Sequence, residues 1–322
     1  MPDQADQLRQ LVRQAVEARP TLGPGAPIVV LSGGRSGVGT TTLAIQLARE
    51  LARLGKRTVL VDANLAEPQL AARLELQTHG CLADVLDGSR SVVEVLQVVG
   101  ESVSLLASRP TIDAPPHLNR AAIARLLVGL RSLGSQADVV LVDAGHGMSP
   151  WAERWWRAAQ QVFLIATPQE AAVKDSYLAV KLAPWGDADG KVQLVVNQCD
   201  DRQAAERITN RFSITCRRFL GLHVEGAPPV ACSQVETEGE TITADASVAF
   251  RHSVRLLATE IISHNVVVRS RIASRQANRN ERPGEGPGER LGEGLGEGLA
   301  DILAVTEKSL DSPNNPQTVP HK

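Results

Sequence analysis

The chain has 322 residues, and its 34 Lys and Arg nearly balance its 36 Asp and Glu, which gives a net charge of −2. Because bulk binding of nucleic acid needs an excess of positive charge, this balance argues against a protein that coats DNA. Hydrophobic residues make up 43% of the chain, enough for a sizeable core. Aromatic residues make up only 3%, which argues against an all-β sandwich and against aromatic platforms that stack bases.

The cysteine pattern and the hydropathy suggest a cytoplasmic compartment. Four scattered cysteines form no CxxC pair, so neither a disulfide framework nor a zinc site is predicted. No apolar run approaches the roughly 18 residues that a membrane span needs. The first ten residues are polar and lack the apolar core of a signal peptide.

Residues 1–20 predict an amphipathic helix with Asp3 as its N-cap, followed by a Pro- and Gly-rich linker over residues 21–26. Such a tethered helix has two interpretations: it packs on its own domain, or it enters a groove on a partner. The apolar residues at helical spacing are Leu8, Leu11, Val12, Ala15 and Val16.

From residue 27 to 265, short apolar runs alternate with segments of helical spacing. Runs rich in Val, Leu and Ile are typical of strands buried on both faces. Their alternation with helices predicts an α/β fold with a doubly wound, mostly parallel sheet. The six runs are PIVVLS, RTVLVDA, VSLLAS, ADVVLVD, VFLIAT and VQLVVN.

Residues 266–322 predict a tail with a basic part followed by an acidic, glycine-rich part. Residues 268–282 contain five Arg and one Glu, a charge of +4, and are a candidate contact with a membrane surface. Residues 283–322 contain three Lys and Arg against seven Asp and Glu, a charge of −4, and begin with a Gly-Glu repeat. A repeat of this composition buries no apolar surface, so we expect it to be disordered.

The most informative segment runs from Pro27 to Gly55, where a buried strand leads through a glycine-rich turn into a helix that begins within residues 40–42. Backbone N–H groups of such a turn, together with the start of the helix, surround a phosphate. This order of strand, glycine-rich turn and helix predicts a phosphate-binding loop.

The turn GRSGVGTTT resembles the deviant Walker A loop of the MinD/ParA family of P-loop ATPases, whose pattern is GKGGVGKTT. Arg35 stands where the family has its signature lysine, and Thr40 stands where it has its P-loop lysine. The resemblance implies a P-loop NTPase fold of the SIMIBI/MinD-like type that binds ATP or ADP with Mg²⁺. The implied nucleotide-binding residues of the loop are Gly34, Ser36, Gly37, Val38, Gly39, Thr40, Thr41 and Thr42.

The resemblance continues beyond the loop. RTVLVDANLAEPQ is similar to the family segment that carries two aspartates, of which Asp62 is present and the second is replaced by Asn64. ADVVLVDAGHG is similar to a Walker B strand that ends on Asp143, and the family pattern implies that Thr41 and Asp143 hold Mg²⁺. VVNQ places Asn197 where the family hydrogen-bonds adenine.

Within that family the chain most resembles the flagellar-number regulators called FlhG, FleN or YlxH, over roughly residues 3–260. In that branch a DQAxxLR helix stimulates the GTPase FlhF, a relative of the signal-recognition-particle GTPases. The resemblance implies a homodimer that contacts such a GTPase. The matching partner-binding positions are Asp3, Gln4, Ala5, Leu8 and Arg9.

The departures from the family pattern fall on positions of the chemistry, for which the candidates are Arg35, Asp62 and Asn64. Thr40 supplies no charge, and losing a charge-assisted hydrogen bond costs about 1.5–3 kcal/mol, or roughly 10–150-fold in affinity. Arg35 keeps a cation suited to an arginine-finger role. Asn64 can hydrogen-bond a water but cannot accept its proton. We therefore expect weak or absent hydrolysis, with slow hydrolysis through Arg35 as the alternative.

The leading functional hypothesis is an FlhG-like regulator of flagellar number or placement. One alternative is a ParA-like ATPase that partitions DNA or positions cell components, which would need a basic surface. Another is a cytoplasmic kinase of polysaccharide export, a class that ends in a tyrosine cluster, whereas residues 266–322 contain no tyrosine. A scaffold with a vestigial nucleotide site is a further alternative.

Overall fold

A computed structural model describes residues 25–110, 120–183, 192–232 and 248–280, and the side chains of residues 266–280 are not described. Within these ranges an eight-stranded sheet has the order β3-β4-β2-β5-β1-β6-β7-β8. The strands are β1 Ile28–Gly33, β2 Thr58–Asp62, β3 Gln97–Gly100, β4 Val103–Leu106, β5 Val139–His146, β6 Gln161–Ala166, β7 Val192–Val196 and β8 Glu225–Gly226.

Helices connect and cover the strands. They are α1 Thr40–Arg53, α2 Leu70–Arg73, α3 Leu82–Asp87, α4 Val92–Val95, α5 Arg120–Ser132, α6 Pro150–Ala158, α7 Glu170–Leu182, α8 Arg202–Leu220 and α9 Val248–Asn280, with a 3₁₀ turn at Leu133–Ser135. None of the helices in the described ranges is both long and apolar enough to cross a membrane.

The predicted doubly wound sheet is confirmed. All strand pairs are parallel except β3 with β4, which is antiparallel. The six predicted apolar runs form β1, β2, β4, β5, β6 and β7. The short edge strands β3 and β8 were not predicted, because neither is an apolar run: β3 alternates half-buried with exposed residues, and β8 is exposed.

Two hydrophobic layers cover the two faces of the sheet, since successive strand residues point to opposite faces. Val29 and Leu31 of β1 pack in the layer that contains α1 and α9. Ile28 and Val30 pack in the other layer, which contains α3, α5, α6 and α8. The parallel strands place their carboxyl ends at one edge, where the loops after β1, β2 and β5 meet.

Contacts divide the chain into a unit over residues 1–272 and a second over residues 273–322. Helix α9 continues past residue 265, where the sequence predicted the P-loop domain to end. The N-terminal helix over residues 1–20 and the Gly/Glu-rich segment after residue 282 lie outside the described residues, so both stay predictions.

Candidate functional site

The predicted phosphate loop lies between β1 and α1, at the centre of the sheet. Gly37 and Gly39 have φ values of +84° and +89°, in the left-handed region that favours glycine. Gly34 packs so closely on the backbone of Asp175 and Ser176 in α7 that a Cβ there would clash. The glycines of this turn are therefore required both by backbone conformation and by the approach of a neighbouring helix.

Helix α1 begins at Thr40, and its N-terminus is suited to bind an anion. Its N-cap residue is Gly39, so no side chain caps the first N–H groups of the helix, and its first turn contains no acidic residue. The first N–H groups of a helix lack partners within the helix and lie at the positive end of its dipole. A phosphate group would satisfy these donors, so the loop fits the predicted nucleotide.

The two predicted Mg²⁺ ligands lie on neighbouring elements. The hydroxyl of Thr41, in the first turn of α1, opposes the rise in pKa that burial gives the carboxylate of Asp143 near the end of β5. The N–H of Gly145 donates to the same carboxylate over 3.0 Å. Oxygen ligands of this kind suit Mg²⁺, which would neutralise phosphate charge here. Thr41 and Asp143 are thus the residues that would hold the ion.

Asp62 lies beside Asp143, because the two residues are paired in register at the carboxyl ends of β2 and β5. Their exposed fractions are 0% and 1%. Burial, together with the neighbouring Asp143 carboxylate, raises the pKa of Asp62 to about 7, against three backbone N–H donors. Burial also raises the pKa of Asp143, while the Thr41 hydroxyl opposes this shift. Two adjacent buried carboxylates favour a cation between or beside them.

Asp62 also anchors the segment that follows β2. Its Oδ2 accepts a hydrogen bond of 3.0 Å from the N–H of Leu70, at the start of α2, and its Oδ1 accepts one of 3.3 Å from the N–H of Asn64. The Ser108 hydroxyl donates to the Asp62 carbonyl over 2.6 Å. The carboxylate therefore positions α2 as well as contributing charge.

Asn64, a candidate catalytic residue, is engaged in its own turn. Its Nδ2 donates to the carbonyl of Glu67 over 2.8 Å, and its Oδ1 accepts from the N–H of Glu67 over 3.3 Å. Its side chain also packs against Gly145, where a Cβ would lie 2.6 Å from its Cγ. Asn64 thus stabilises the loop between β2 and α2, and its catalytic role stays a prediction.

Arg35 lies at the exposed rim of the loop. Its guanidinium is 3.7 Å from the carboxylate of Asp175, and both side chains are about two-fifths exposed. The arginine-finger role that the sequence suggested for Arg35 stays a prediction, since the charge faces a carboxylate of the same chain.

Asn197 lies directly after β7, against the loop. Its Nδ2 donates to the carbonyl of Val38 over 2.8 Å, and a Cβ on Gly39 would lie 2.5 Å from that nitrogen. The segment after β8 runs alongside β7, because Val230 bonds both Val196 and Cys199 through its backbone. Asn197 therefore bonds the phosphate loop from the carboxyl end of β7, and its adenine-binding role stays a prediction.

Two residues at the carboxyl edge of the sheet belong to none of the motifs found in the sequence. The indole Nε1 of Trp151 in α6 donates to the Ala63 carbonyl over 2.8 Å and so fixes the turn after β2. Arg73 at the end of α2 has its Nη1 3.5 Å from the Thr42 hydroxyl. The predicted partner-binding positions Asp3, Gln4, Ala5, Leu8 and Arg9 lie outside the described residues.

Two curated proteins with flagellar names are similar to this chain. The antiactivator FleN of Pseudomonas aeruginosa is 26% identical over 198 residues, which is 62% of this chain and 71% of FleN. The flagellum site-determining protein YlxH of Helicobacter pylori is 21% identical over 154 residues, 48% of this chain and 52% of YlxH. The chain thus spans about half the length of YlxH.

The fold is shared with a solved structure. The septum site-determining protein MinD from Pyrococcus horikoshii OT3, in complex with Mg-ADP, superposes with a TM-score of 0.58 at 18% identity, over 73% of this chain and 96% of that chain. At this identity the likeness establishes the fold. The family model "CobQ/CobB/MinD/ParA nucleotide binding domain" matches residues 29–226, more than half of the chain. This chain therefore belongs to the CobQ/CobB/MinD/ParA family of P-loop NTPases.

Proposed function

We propose that this protein is a FleN- and YlxH-like regulator of flagellar number or placement that binds ATP or ADP with Mg²⁺ and hydrolyses ATP weakly or not at all. The observation that carries the nucleotide part is the glycine-rich turn before α1, where Gly37 and Gly39 have left-handed φ values and the helix N-terminus has no side-chain cap and no acidic residue. The similarity to FleN over 198 residues supports the biological role.

Weak hydrolysis follows from what the loop lacks. Thr40 carries no charge, and a Cβ on Gly33 would lie 2.9 Å from its hydroxyl, so this short side chain stays at the base of the loop. Asn64 is engaged with the Glu67 backbone and has no proton-accepting group. Phosphoryl transfer depends on positioned charge and an oriented nucleophile, and both are reduced here.

The partner in this proposal is a GTPase similar to FlhF, contacted by the N-terminal helix in the context of a homodimer. The sequence match of residues 3–9 to the DQAxxLR helix supports that partner. Contact with the inner membrane surface through the arginine-rich stretch after residue 268 is a further part of the proposal.

The nucleotide part is tested by titrating the purified full-length protein with ADP and ATP, each with Mg²⁺, while following oligomeric state and phosphate release. We expect saturable binding with slow or undetectable phosphate release. Phosphate release at a median enzyme rate of about 10 s⁻¹ would contradict weak hydrolysis. Absence of nucleotide binding would leave the scaffold alternative.

The partner part is tested by adding the full-length chain, or a variant lacking residues 1–20, to the FlhF-like GTPase of the same organism. We expect the full chain to stimulate GTP hydrolysis and the shortened chain not to. A second variant, which replaces Leu8 and Arg9 by Ala and keeps the length of the chain, should also fail to stimulate GTP hydrolysis. Stimulation that survives both changes would show that this helix is not the contact.

A further inference from the structure

We infer that Arg73 supplies the positive charge toward the nucleotide phosphates that Thr40 does not supply. The inference rests on the nucleotide binding proposed above and adds a binding residue that carries no family motif. It starts from the loop: a segment that binds a polyphosphate needs cationic compensation, and the family position for it is occupied by a neutral side chain of 7% exposed fraction.

Arg73 lies where such a charge is useful. Its Nη1 is 3.5 Å from the hydroxyl of Thr42, in the first turn of α1, next to the N–H groups that the phosphate would contact. The first turn of α1 therefore faces this guanidinium.

The side chain is positioned and exposed, yet it makes no ion pair with a carboxylate within the described residues. Its Nε donates to Gln69 Oε1 over 3.0 Å, which orients the guanidinium. Helix α2 is itself held by Asp62 through the N–H of Leu70, and Leu70 is fully buried. Arg35, by contrast, faces Asp175. Of these two arginines, Arg73 is the one with only neutral hydrogen-bond partners.

From this position at the end of α2, Arg73 can bind the phosphates of a nucleotide held at the start of α1. Guanidinium binds phosphate oxygens through two parallel N–H donors, and it keeps its charge at all working pH values. This interaction involves the phosphates and not the base. The binding affinity for ADP and ATP should therefore depend on Arg73, whereas the affinity for adenosine should not.

The test measures equilibrium binding of ADP, ATP and adenosine, each with Mg²⁺, to the full-length protein and to the variant Arg73→Ala. We expect affinity for ADP and ATP to fall about tenfold or more, with adenosine unchanged within about twofold. Arg73→Lys should recover part of the loss. The matched control is Arg49→Ala, an exposed arginine on α1 that is seven residues, or about 10 Å, along the helix from Thr42.

A rescue separates charge from structure. Thr40→Lys, which restores a cation in the loop, should recover ADP affinity in the Arg73→Ala background, whereas Thr40→Met, of similar length without charge, should not. If wild type binds ADP and Arg73→Ala binds it equally well, the inference is wrong and the proposed function stands. If wild type binds no nucleotide, the nucleotide part of the proposed function fails and the inference fails with it.

Discussion

Strands β2 and β5 run side by side, and the charged side chains at their amino ends differ from those at their carboxyl ends. At the amino ends, Arg57 and Asp138 form an exposed ion pair, with Arg57 Nε and Nη2 3.1 and 3.0 Å from the carboxylate. At the carboxyl ends, Asp62 and Asp143 are paired in register, both buried and both acidic. The charges at the amino ends neutralise each other, whereas the two acidic side chains at the carboxyl ends do not.

From this difference we expect a charged ligand at the carboxyl ends of the two strands. The Arg57 guanidinium holds the pKa of Asp138 below its usual range, so that carboxylate is ionised at neutral pH. At the other end burial raises the pKa of both carboxylates. A divalent cation would neutralise that pair, and the phosphate loop lies directly beside it. Each prediction below changes one of these two ends.

The largest effect is expected for Asp143→Asn. The variant keeps an oxygen that can accept from Gly145 and loses the charge that would hold Mg²⁺. We expect the Mg²⁺-dependent increase in ADP affinity to fall by about tenfold or more, because a charged ligand becomes neutral. Binding is measured with and without Mg²⁺. The matched control is Asp138→Asn, the same change at the other end of β5, which should keep the Mg²⁺ effect; a Mg²⁺ effect retained by Asp143→Asn would contradict the ligand assignment.

An intermediate effect is expected for Asn64→Ala, which removes two hydrogen bonds to the Glu67 backbone. We expect the free energy of unfolding to fall by about 1–3 kcal/mol, since a half-buried turn loses its side-chain partner. Chemical denaturation measures this change. Asn210→Ala, at an exposed position of α8, is the control and should change stability by less than about 0.5 kcal/mol. An unchanged free energy of unfolding in Asn64→Ala would show that the turn does not need this side chain.

The smallest effect is expected for Asp138→Asn on stability. The ion pair is partly exposed, so we expect a loss of about 0.5–1 kcal/mol at pH 7. Because the folded pKa of Asp138 is below its unfolded value, its contribution is complete above the unfolded pKa near 4 and disappears as pH falls through the folded pKa. Thermal unfolding of both proteins from pH 7 to pH 2 checks this. A difference that persists at the lowest pH would mean that packing, and not charge, is responsible.

The fold could be predicted because its signals are local. Six of the eight described strands are apolar runs, and the glycine-rich turn before α1 follows a buried strand and precedes a helix, the order that predicts a phosphate-binding loop. The edge strands β3 and β8 could not be predicted, since neither is an apolar run and each forms by pairing with a strand already in the sheet. The Mg²⁺-ligand roles that the family resemblance implies for Thr41 and Asp143 stay predictions.

The roles of individual polar side chains were less predictable. The sequence offered Asn64 and Arg35 as candidates for the chemistry and did not predict their partners within the chain. The Asn64 amide closes a turn with Glu67. Arg35 faces Asp175, a residue 140 positions away in the chain, and both chemical roles stay predictions. Arg73 had no signal at all, because a four-residue helix has no periodic pattern and its position depends on the bond from Leu70 to Asp62.

The sequence by itself determined the α/β class, the phosphate loop and the absence of a cation at position 40. Hydrophobic alternation and glycine spacing act over a few residues, so they can be detected without tertiary structure. Only the tertiary structure decided what each charged side chain faces: Asp62 faces Asp143, Arg35 faces Asp175, and Arg73 faces the neutral hydroxyl of Thr42. Electrostatic partners are brought together by strand register and helix packing, and their energies depend on distance and burial, neither of which is encoded locally.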